Sequence, residues 1–424
     1  MNDSPDSASN EKKPPRIWSV RFRLIREASI SILILVSVAF FALGVYRSAA
    51  TQGVDFEPIQ IPAPFREKGY TPEISTVRLV DEIKKINTVA NTTKKRDSVS
   101  SKQPGEELAK ISASVPSGID IHAIQIAIRE LLGVHRATIS GDITFAGESA
   151  DKNSYLVRLR QNPGEALLVD EIVTGAPEDV LAKIALSLVE RLDPVVAASY
   201  YRNSKLYLDS LRMVDVAMTS KSVEVKSHGL DQRIYIYIDQ KKFDLAKRDL
   251  DTVFAIDKNS ANGFGLLALW YNRQGMHKDG LAAAEKQIAL RPDLPHGYLN
   301  KAVALKGLDQ DGDDLYLTAL AKKELRSGHY VLIGSYFEAK GKMDLARTAF
   351  LNGAVTFPDS ASTSLAHGRR LMLDGHEELG LFYLKKAYRL DSENTKIKEL
   401  LLQYLPKGEE DGLRSELISR VSAK

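Results

Sequence analysis

Residues 262–292 read NGFGLLALWYNRQGMHKDGLAAAEKQIALRP, and residues 329–358 read HYVLIGSYFEAKGKMDLARTAFLNGAVTFP. Each stretch holds two helix-length apolar patterns, joined by a turn containing Gly and closed by Pro292 or Pro358. Set in register, their small residues align, Ala268 with Gly334 and Gly280 with Ala346. The series extends in both directions. Ala268, Ala302, Gly334 and Gly368 are spaced 34, 32 and 34, while Ala246, Gly280, Ala346 and Gly380 are spaced 34, 66 and 34. Pro292, Pro358 and Ser392 keep the same 66 and 34. A period of about 34 is the length of two antiparallel helices with their turns, so residues 228–392 predict a helical solenoid. The small residues have a mechanical reason, because helix axes approach to about 8 Å only where the side chains between them are short. A solenoid offers an extended surface, which argues for binding before catalysis.

The pattern resembles the tetratricopeptide repeat family over about two fifths of the chain. Leu267-Ala268, Tyr271, Gly280 and Pro292 carry the resemblance in one repeat, and Ile333-Gly334, Phe337, Ala346, Phe350 and Pro358 in another. The repeat between them departs from it, with Asp314 at or beside a place that is normally small. Residues 196–226 read as a degenerate N-terminal pair. Residues 393–422, with Ile397, Leu400, Leu401 and Leu405, read as the solubilising terminal helix that such arrays need. The resemblance implies a groove lined by alternate turns of each repeat's first helix. On this chain that face includes Tyr235, Ile238, Asn262, Leu269, Asn272, His296, Leu299, Val303, Lys306, Ser335, Glu338 and Arg369. This mixed set lacks the Lys/Asn/Arg clamp that some members use on peptide carboxylates. An extended peptide or a partner's helix is the expected ligand.

The rest of the 424 residues is organised around a second signal. Ala28 to Tyr46 (ASISILILVSVAFFALGVY) carries no charge over 19 positions, long enough to cross the hydrocarbon layer as a helix. Lys12, Lys13, Arg16, Arg21, Arg23 and Arg26 precede it, and only Arg47 follows before Arg66, which orients the N-terminus to the cytoplasm. A cleaved signal peptide ending near Ser48-Ala49-Ala50 is the competing reading. The long charged leader, the length of the apolar run and Arg47 beside the site speak against it. Residues 1–27 are expected to be a disordered cytoplasmic leader. Residues 47–108 form a tether with Pro58, Pro62 and Pro64, a short helix opening at Thr71-Pro72-Glu73, and a polar loop. That helix should bury Ile74, Val77, Val80, Ile83 and Ile86.

Residues 109–195 predict a small α+β domain in the order α-β-β-β-α. Residues 119–132 make a helix. ATISGDITF then alternates, and SYLVRLRQ and ALLVDEIV flank Asn162-Pro163-Gly164-Glu165, a hairpin signal. The closing helix should bury Leu181, Ile184, Ala185, Leu188 and Leu192. The expected fold class is thus mainly α: one transmembrane helix at 28–46, a small α+β domain at 109–195, and a tetratricopeptide-like superhelix at 196–424.

Composition narrows the function further. With 44% apolar and 27% charged residues and a net charge of +3, the chain lacks the long basic stripe of a nucleic-acid binder. It has no cysteine, which removes disulfides and thiolate metal sites. The eight histidines are scattered without HExxH, Gly341-Lys342 is followed by Met343 instead of Ser or Thr, and no GxSxG occurs. Asp309-Gln310-Asp311-Gly312-Asp313-Asp314 has its Gly in the wrong place for a calcium loop and reads as an acidic inter-helix turn. No catalytic residue, cofactor or metal is expected. Glu165, Asp170, Glu171 and Arg158 are surface charges more economically than an active site. The function expected is a membrane-anchored scaffold on the periplasmic face of a bacterial inner membrane. It would bind a partner protein, within a machine that exports or assembles envelope material. The alternative is a periplasmic ligand sensor using the α+β domain.

Overall fold

The computed structural model describes residues 54–92, 137–146 and 153–405, apart from residues 163, 165, 323 and 393. The expected leader (1–27), membrane span (28–46), helix 119–132 and the end of the terminal helix beyond 405 lie outside the described residues. No helix among the described residues is long and apolar enough to cross a membrane. Contacts divide the chain into two units, residues 1–55 with 100–138 and residues 56–99 with 139–424. Every described helix, and all of the sheet except the first two residues of two strands, belongs to the second unit.

Four strands, β1 (Val54–Phe56), β2 (Ala137–Phe145), β3 (Ser154–Asn162) and β4 (Ala166–Thr174), form one sheet in the order β1-β2-β3-β4. β3 and β4 are the expected hairpin, antiparallel with a bulge between Leu159 and Arg160. Alternation holds on β3, where Tyr155, Val157 and Leu159 face the core. The segment after β1 runs parallel beside β2: Glu57 N donates to Ile139 O (2.9 Å), and Ile143 N donates to Gln60 O (2.8 Å). Part of the expected tether is therefore sheet edge.

Beyond α1 (Ala63–Glu67), helix α2 (Pro72–Ala90) starts as the sequence indicates, with the Thr71 hydroxyl accepting from Ile74 N and Pro72 at the first turn. Its buried face keeps Ile83 and Ile86 of the expected set, leaves Val80 half-buried, and otherwise differs. Ile74 and Val77 are 43% and 48% exposed, whereas Thr76, Leu79, Ile83, Ile86 and Ala90 point inward. Those five keep a clean helical period. The stripe escapes a sequence reading because it begins with a threonine, whose hydroxyl accepts from Ile59 N (3.0 Å) and donates to Pro72 O (2.8 Å). A polar residue thus ties helix to sheet edge with its hydrogen bonds satisfied.

α2 packs against α3 (Pro177–Leu192) and α4 (Pro194–Asn203). α3 buries Val180, Leu181, Ile184, Ala185, Leu188 and Val189, so its stripe is wider than expected, while Leu192 is only half-buried. At the far end of α2, Ser199 Oγ donates to Ala90 O (2.6 Å) and Asn203 Nδ2 to Val89 O (2.7 Å). These side chains satisfy carbonyls that a helix C-terminus leaves open.

From α4 onward the chain is an uninterrupted series of antiparallel helices. They are α5 (Tyr207–Met218), α6 (Val223–Asp239), α7 (Phe243–Ile256), α8 (Ala261–Arg273), α9 (His277–Leu290), α10 (Pro295–Gly307), α11 (Asp313–Leu320), α12 (Ser327–Ala339), α13 (Met343–Thr356), α14 (Ala361–Leu373), α15 (Glu377–Leu390) and α16 (Thr395–Tyr404). Ser222, Ser260 and Ser360 cap α6, α8 and α14 by accepting from backbone N–H groups.

Candidate functional site: the concave face of the helix array

The helix array repeats at the level of single positions. In α8, α10, α12 and α14, each 13 residues long, the eighth residue is Ala268, Ala302, Gly334 and Gly368. In α7, α9, α13 and α15, each 14 residues long, the fourth is Ala246, Gly280, Ala346 and Gly380. A Cβ on Gly334 would stand 2.4 Å from the Phe350 ring, so only glycine fits while that ring holds its place. The turns repeat too. Lys241, Gly275, Asp309, Gly341 and Gly375 all have positive φ, between 58° and 83°, each just before the second helix of its pair. Three are the glycines this conformation favours; Lys241 and Asp309 adopt it without that advantage. The array is a tetratricopeptide-repeat solenoid.

One tetratricopeptide repeat breaks the pattern, though not where the sequence pointed. Asp314 is exposed. The fourth position of α11, small in the other pairs, is Tyr316, which is 1% exposed. Its ring lies 4.1 Å from that of Tyr336 and 6.2 Å from that of Phe337. α11 is only eight residues long, and Tyr316 belongs to an aromatic cluster with Tyr336 and Phe337 of the next repeat. The acidic turn before it is neutralised internally. Asp313 accepts from Tyr336 Oη (2.8 Å), Lys340 Nζ (2.8 Å) and Lys342 Nζ, and these hydrogen bonds hold its carboxyl below its ordinary range against the opposing effect of burial.

Solved structures similar to part of the chain include MamA (21% identical, covering 38% of this chain and 95% of its own, TM-score 0.30). PilW, titled a widely conserved type IV pilus biogenesis factor, is 15% identical, covering 47% of this chain and 93% of its own, TM-score 0.38. A tetratricopeptide repeat protein from Parabacteroides merdae ATCC 43184 is 16% identical, covering 52% and 90%, TM-score 0.37. No family model matches the chain, and no curated protein matches its sequence. The assignment of the repeats rests on this chain's own helix lengths, small positions and turns.

The first helices of four consecutive pairs (α6, α8, α10 and α12) enclose a cavity of about 390 Å³. Of the residues expected in the groove, Tyr235, Asn262, Leu269, Asn272, His296, Leu299 and Val303 line it together. Lys306 lies outside, in a neighbouring recess with Asp311, Tyr336 and Lys340. Glu338 and Arg369 are paired with each other, and Glu338 also accepts from Arg370 Nη1 (2.9 Å). Ser335 is exposed. Asn272 is committed to packing: its Nδ2 donates to Asn300 O (3.0 Å), and its side chain fills the space left by Gly280.

Polar residues that the sequence did not single out complete the wall. His329 Nδ1 accepts from Arg326 N (3.1 Å), which leaves the proton of the neutral ring on Nε2. Its ring meets that of His296 edge-on at 4.6 Å. Burial lowers both histidine pKa values, that of His296 well below the usual value and that of His329 to about 3, with Arg326 adding to each. Both rings are therefore neutral at pH 7. Asp231 Oδ2 is 3.4 Å from His228 Nδ1 and 3.5 Å from Asn262 Nδ2. Arg202 spreads over the Tyr235 ring at 4.6 Å. Each of these residues sits in a place that only the superhelix defines, so no local motif announces it.

Of the charges considered for the α+β part, Glu165 lies outside the described residues. Arg158 Nε pairs with Asp170 (3.3 Å), and Glu171 accepts from Ser187 Oγ (2.6 Å). Among the described residues, no three His, Asp or Glu side chains converge in a way that could hold a metal ion.

Proposed function

We propose that this chain is an adaptor whose solenoid takes a segment of a partner protein into the concave cavity. The observation that carries the reading is that cavity: a 390 Å³ hollow built by four successive helix pairs, with Leu266, Leu269, Leu299, Val303 and Leu332 beside amide and imidazole groups. Apolar walls with a few placed polar groups suit an extended peptide or a helix. Tyr235, Asn262, Leu269, His296 and Val303 are its contact residues under this proposal, with Asn272 bracing the wall through its packing and Lys306, Ser335, Glu338 and Arg369 continuing the face. Its role is recruitment, with no catalytic step of its own.

The setting belongs to the same proposal. The uncharged run 28–46 with its basic leader supports a single membrane anchor, N-terminus inside, with the repeats on the periplasmic face of an inner membrane. An adaptor so placed suits a machine that exports or assembles envelope components. Photo-crosslinking in cells tests the groove. A crosslinker at Leu269 should capture one discrete partner, whereas one at Leu351, exposed on α13 away from the cavity wall, should not. Equal capture from both positions refutes the groove. Protease accessibility of residues beyond 54 in spheroplasts tests the placement, and protection until the inner membrane is permeabilised overturns it.

A further inference from the structure

The cavity holds a cation that no described carboxylate bonds directly: the charges of Asp231 and Glu324 favour it from a distance, and that of Arg202 opposes it. Arg326 stands at the N-cap of α12 and lines the cavity. Protein atoms surround it, while one side stays open to solvent through the hollow. Its backbone is engaged at both groups, the N–H donating to His329 Nδ1 (3.1 Å) and the carbonyl accepting from His329 N (3.0 Å). The guanidinium makes no hydrogen bond or ion pair with any described residue.

Among the described residues, Asp231 is the one carboxylate in the wall. Its Oδ2 is turned to His228 and Asn262, and its Oδ1 is shut away from solvent without a partner. Arg202 increases the imbalance. It is buried against Tyr235, its Nε has no partner, and its charge works against that of Arg326. A desolvated guanidinium without a counter-ion weakens a fold. Its planar fork of donors is also the group best shaped to grip a carboxylate through two parallel bonds.

We propose that the Arg326 end of the cavity is a carboxylate subsite, filled by an acidic group of the bound peptide whose neighbouring apolar side chain lies against Leu269, Leu299 and Val303. This rests on the groove reading above and names the chemistry of its occupant. The carboxylate comes from an Asp or Glu side chain or from a chain terminus, and the test separates the two.

Random twelve-residue peptides, displayed with a free or an amidated C-terminus, are selected on the full chain and on its Arg326→Met variant at 150 mM salt. The affinities of the selected peptides are then measured by fluorescence anisotropy. The wild-type selection should enrich an acidic group beside an apolar residue. Neutralising that group (Asp→Asn, Glu→Gln or amidation) should weaken binding about tenfold to a hundredfold on the wild type, and under about twofold on Arg326→Met. Loss on the side-chain change assigns the carboxylate to a side chain, and loss on amidation assigns it to a terminus.

Equal losses on both proteins, or no acidic enrichment, overturn the subsite. Peptides that bind both proteins alike but fail on Leu269→Asp sink the subsite and leave the groove standing. Peptides indifferent to Leu269→Asp sink the groove itself. A second measurement needs no ligand: relief of an unpaired charge should raise the urea midpoint of Arg326→Met. A lowered midpoint makes Arg326 a structural residue and ends the inference.

Discussion

Replacing Gly334 by alanine tests the packing on which the superhelix depends. A methyl group at this position would meet Phe350 Cε1 at 2.4 Å, Cδ1 at 2.6 Å and Cζ at 2.8 Å, so the ring must retreat by about 1 Å to reach ordinary contact. Phe350 is 1% exposed and lies in a cluster with Ile333, Phe337, Ala346 and Ala349, so it has little room to move. Alanine gains about 1 kcal/mol of helix propensity over glycine, while overpacking of a filled core costs about 1–3 kcal/mol. The net expectation is a loss of about 1 kcal/mol. Gly328, in the same helix, has nothing within 4 Å of its missing Cβ, so Gly328→Ala keeps the propensity gain and should stabilise. Urea unfolding of the full chain, followed by far-ultraviolet circular dichroism and by amide exchange in α12, reads both changes. Phe350→Leu in the Gly334→Ala background should recover part of the loss, since the shorter side chain yields the space. If Gly334→Ala is as stable as Gly328→Ala, close helix approach is not what selects glycine there, and the packing argument fails.

Lys241→Gly should stabilise by about 0.5–1 kcal/mol, because lysine holds a left-handed backbone at φ 58° that glycine adopts without strain. Gly275→Ala at the matching turn should lose a similar amount, and urea midpoints check both. Arg370 donates to Asp374 (2.7 and 3.0 Å) and Glu338 (2.9 Å) with its side chain nearly buried. Arg370→Leu should cost about 2 kcal/mol, less than a fully orphaned buried pair because Arg347 still holds Asp374 and Arg369 still holds Glu338; a change under about 0.5 kcal/mol removes the network from the account. Stability should also fall as pH drops from 6.5 towards 3. The unfolded chain binds protons at His329 and His296 from their ordinary 6.5 downward, whereas the folded rings, with pKa values lowered by burial, refuse them. Each ring contributes roughly 1.4 kcal/mol per pH unit below 6.5. The His296→Asn/His329→Gln double variant should flatten the curve between pH 6.5 and 5, and an unchanged slope contradicts the burial argument. The depressed carboxylates Asp374 and Asp313 act only at lower pH.

The repeat could be seen in the sequence because its physics is local. Small residues at fixed places in fixed-length helices, and glycine at the left-handed turns, leave a periodic trace. Where the chain meets the same demand differently, the trace vanishes. Lys241 and Asp309 bend as glycines do without looking like them. Tyr316 fills a small position because its helix is short and Tyr336 receives its ring, a long-range arrangement that periodicity cannot register. The inward face of α2 was hidden by Thr76, whose hydroxyl is held by Ile59, 17 positions away beside the sheet. In the cavity, Tyr235, Asn262, Leu269, Asn272, His296, Leu299 and Val303 followed from the helix face, while Leu266, Leu332, Gln232, Gln287 and Asn300 did not. Nor did Arg326, since it precedes a helix in what reads as a loop, and only the superhelix carries it to the wall.

The bonds from Ser199 and Asn203 to the end of α2, with Asn91 Nδ2 reaching Ser327 Oγ (3.3 Å), bear on how this protein can be cut. A fragment opened at residue 196 would strip the lining from Val196, Ala197 and Ala198, and leave the hydroxyl of Ser199 without its carbonyl. The smallest excisable piece therefore takes in residues 56–92 and 139–146 along with the strands and helices after 153. Recombinant truncations that ignore this should aggregate for reasons unrelated to the repeats.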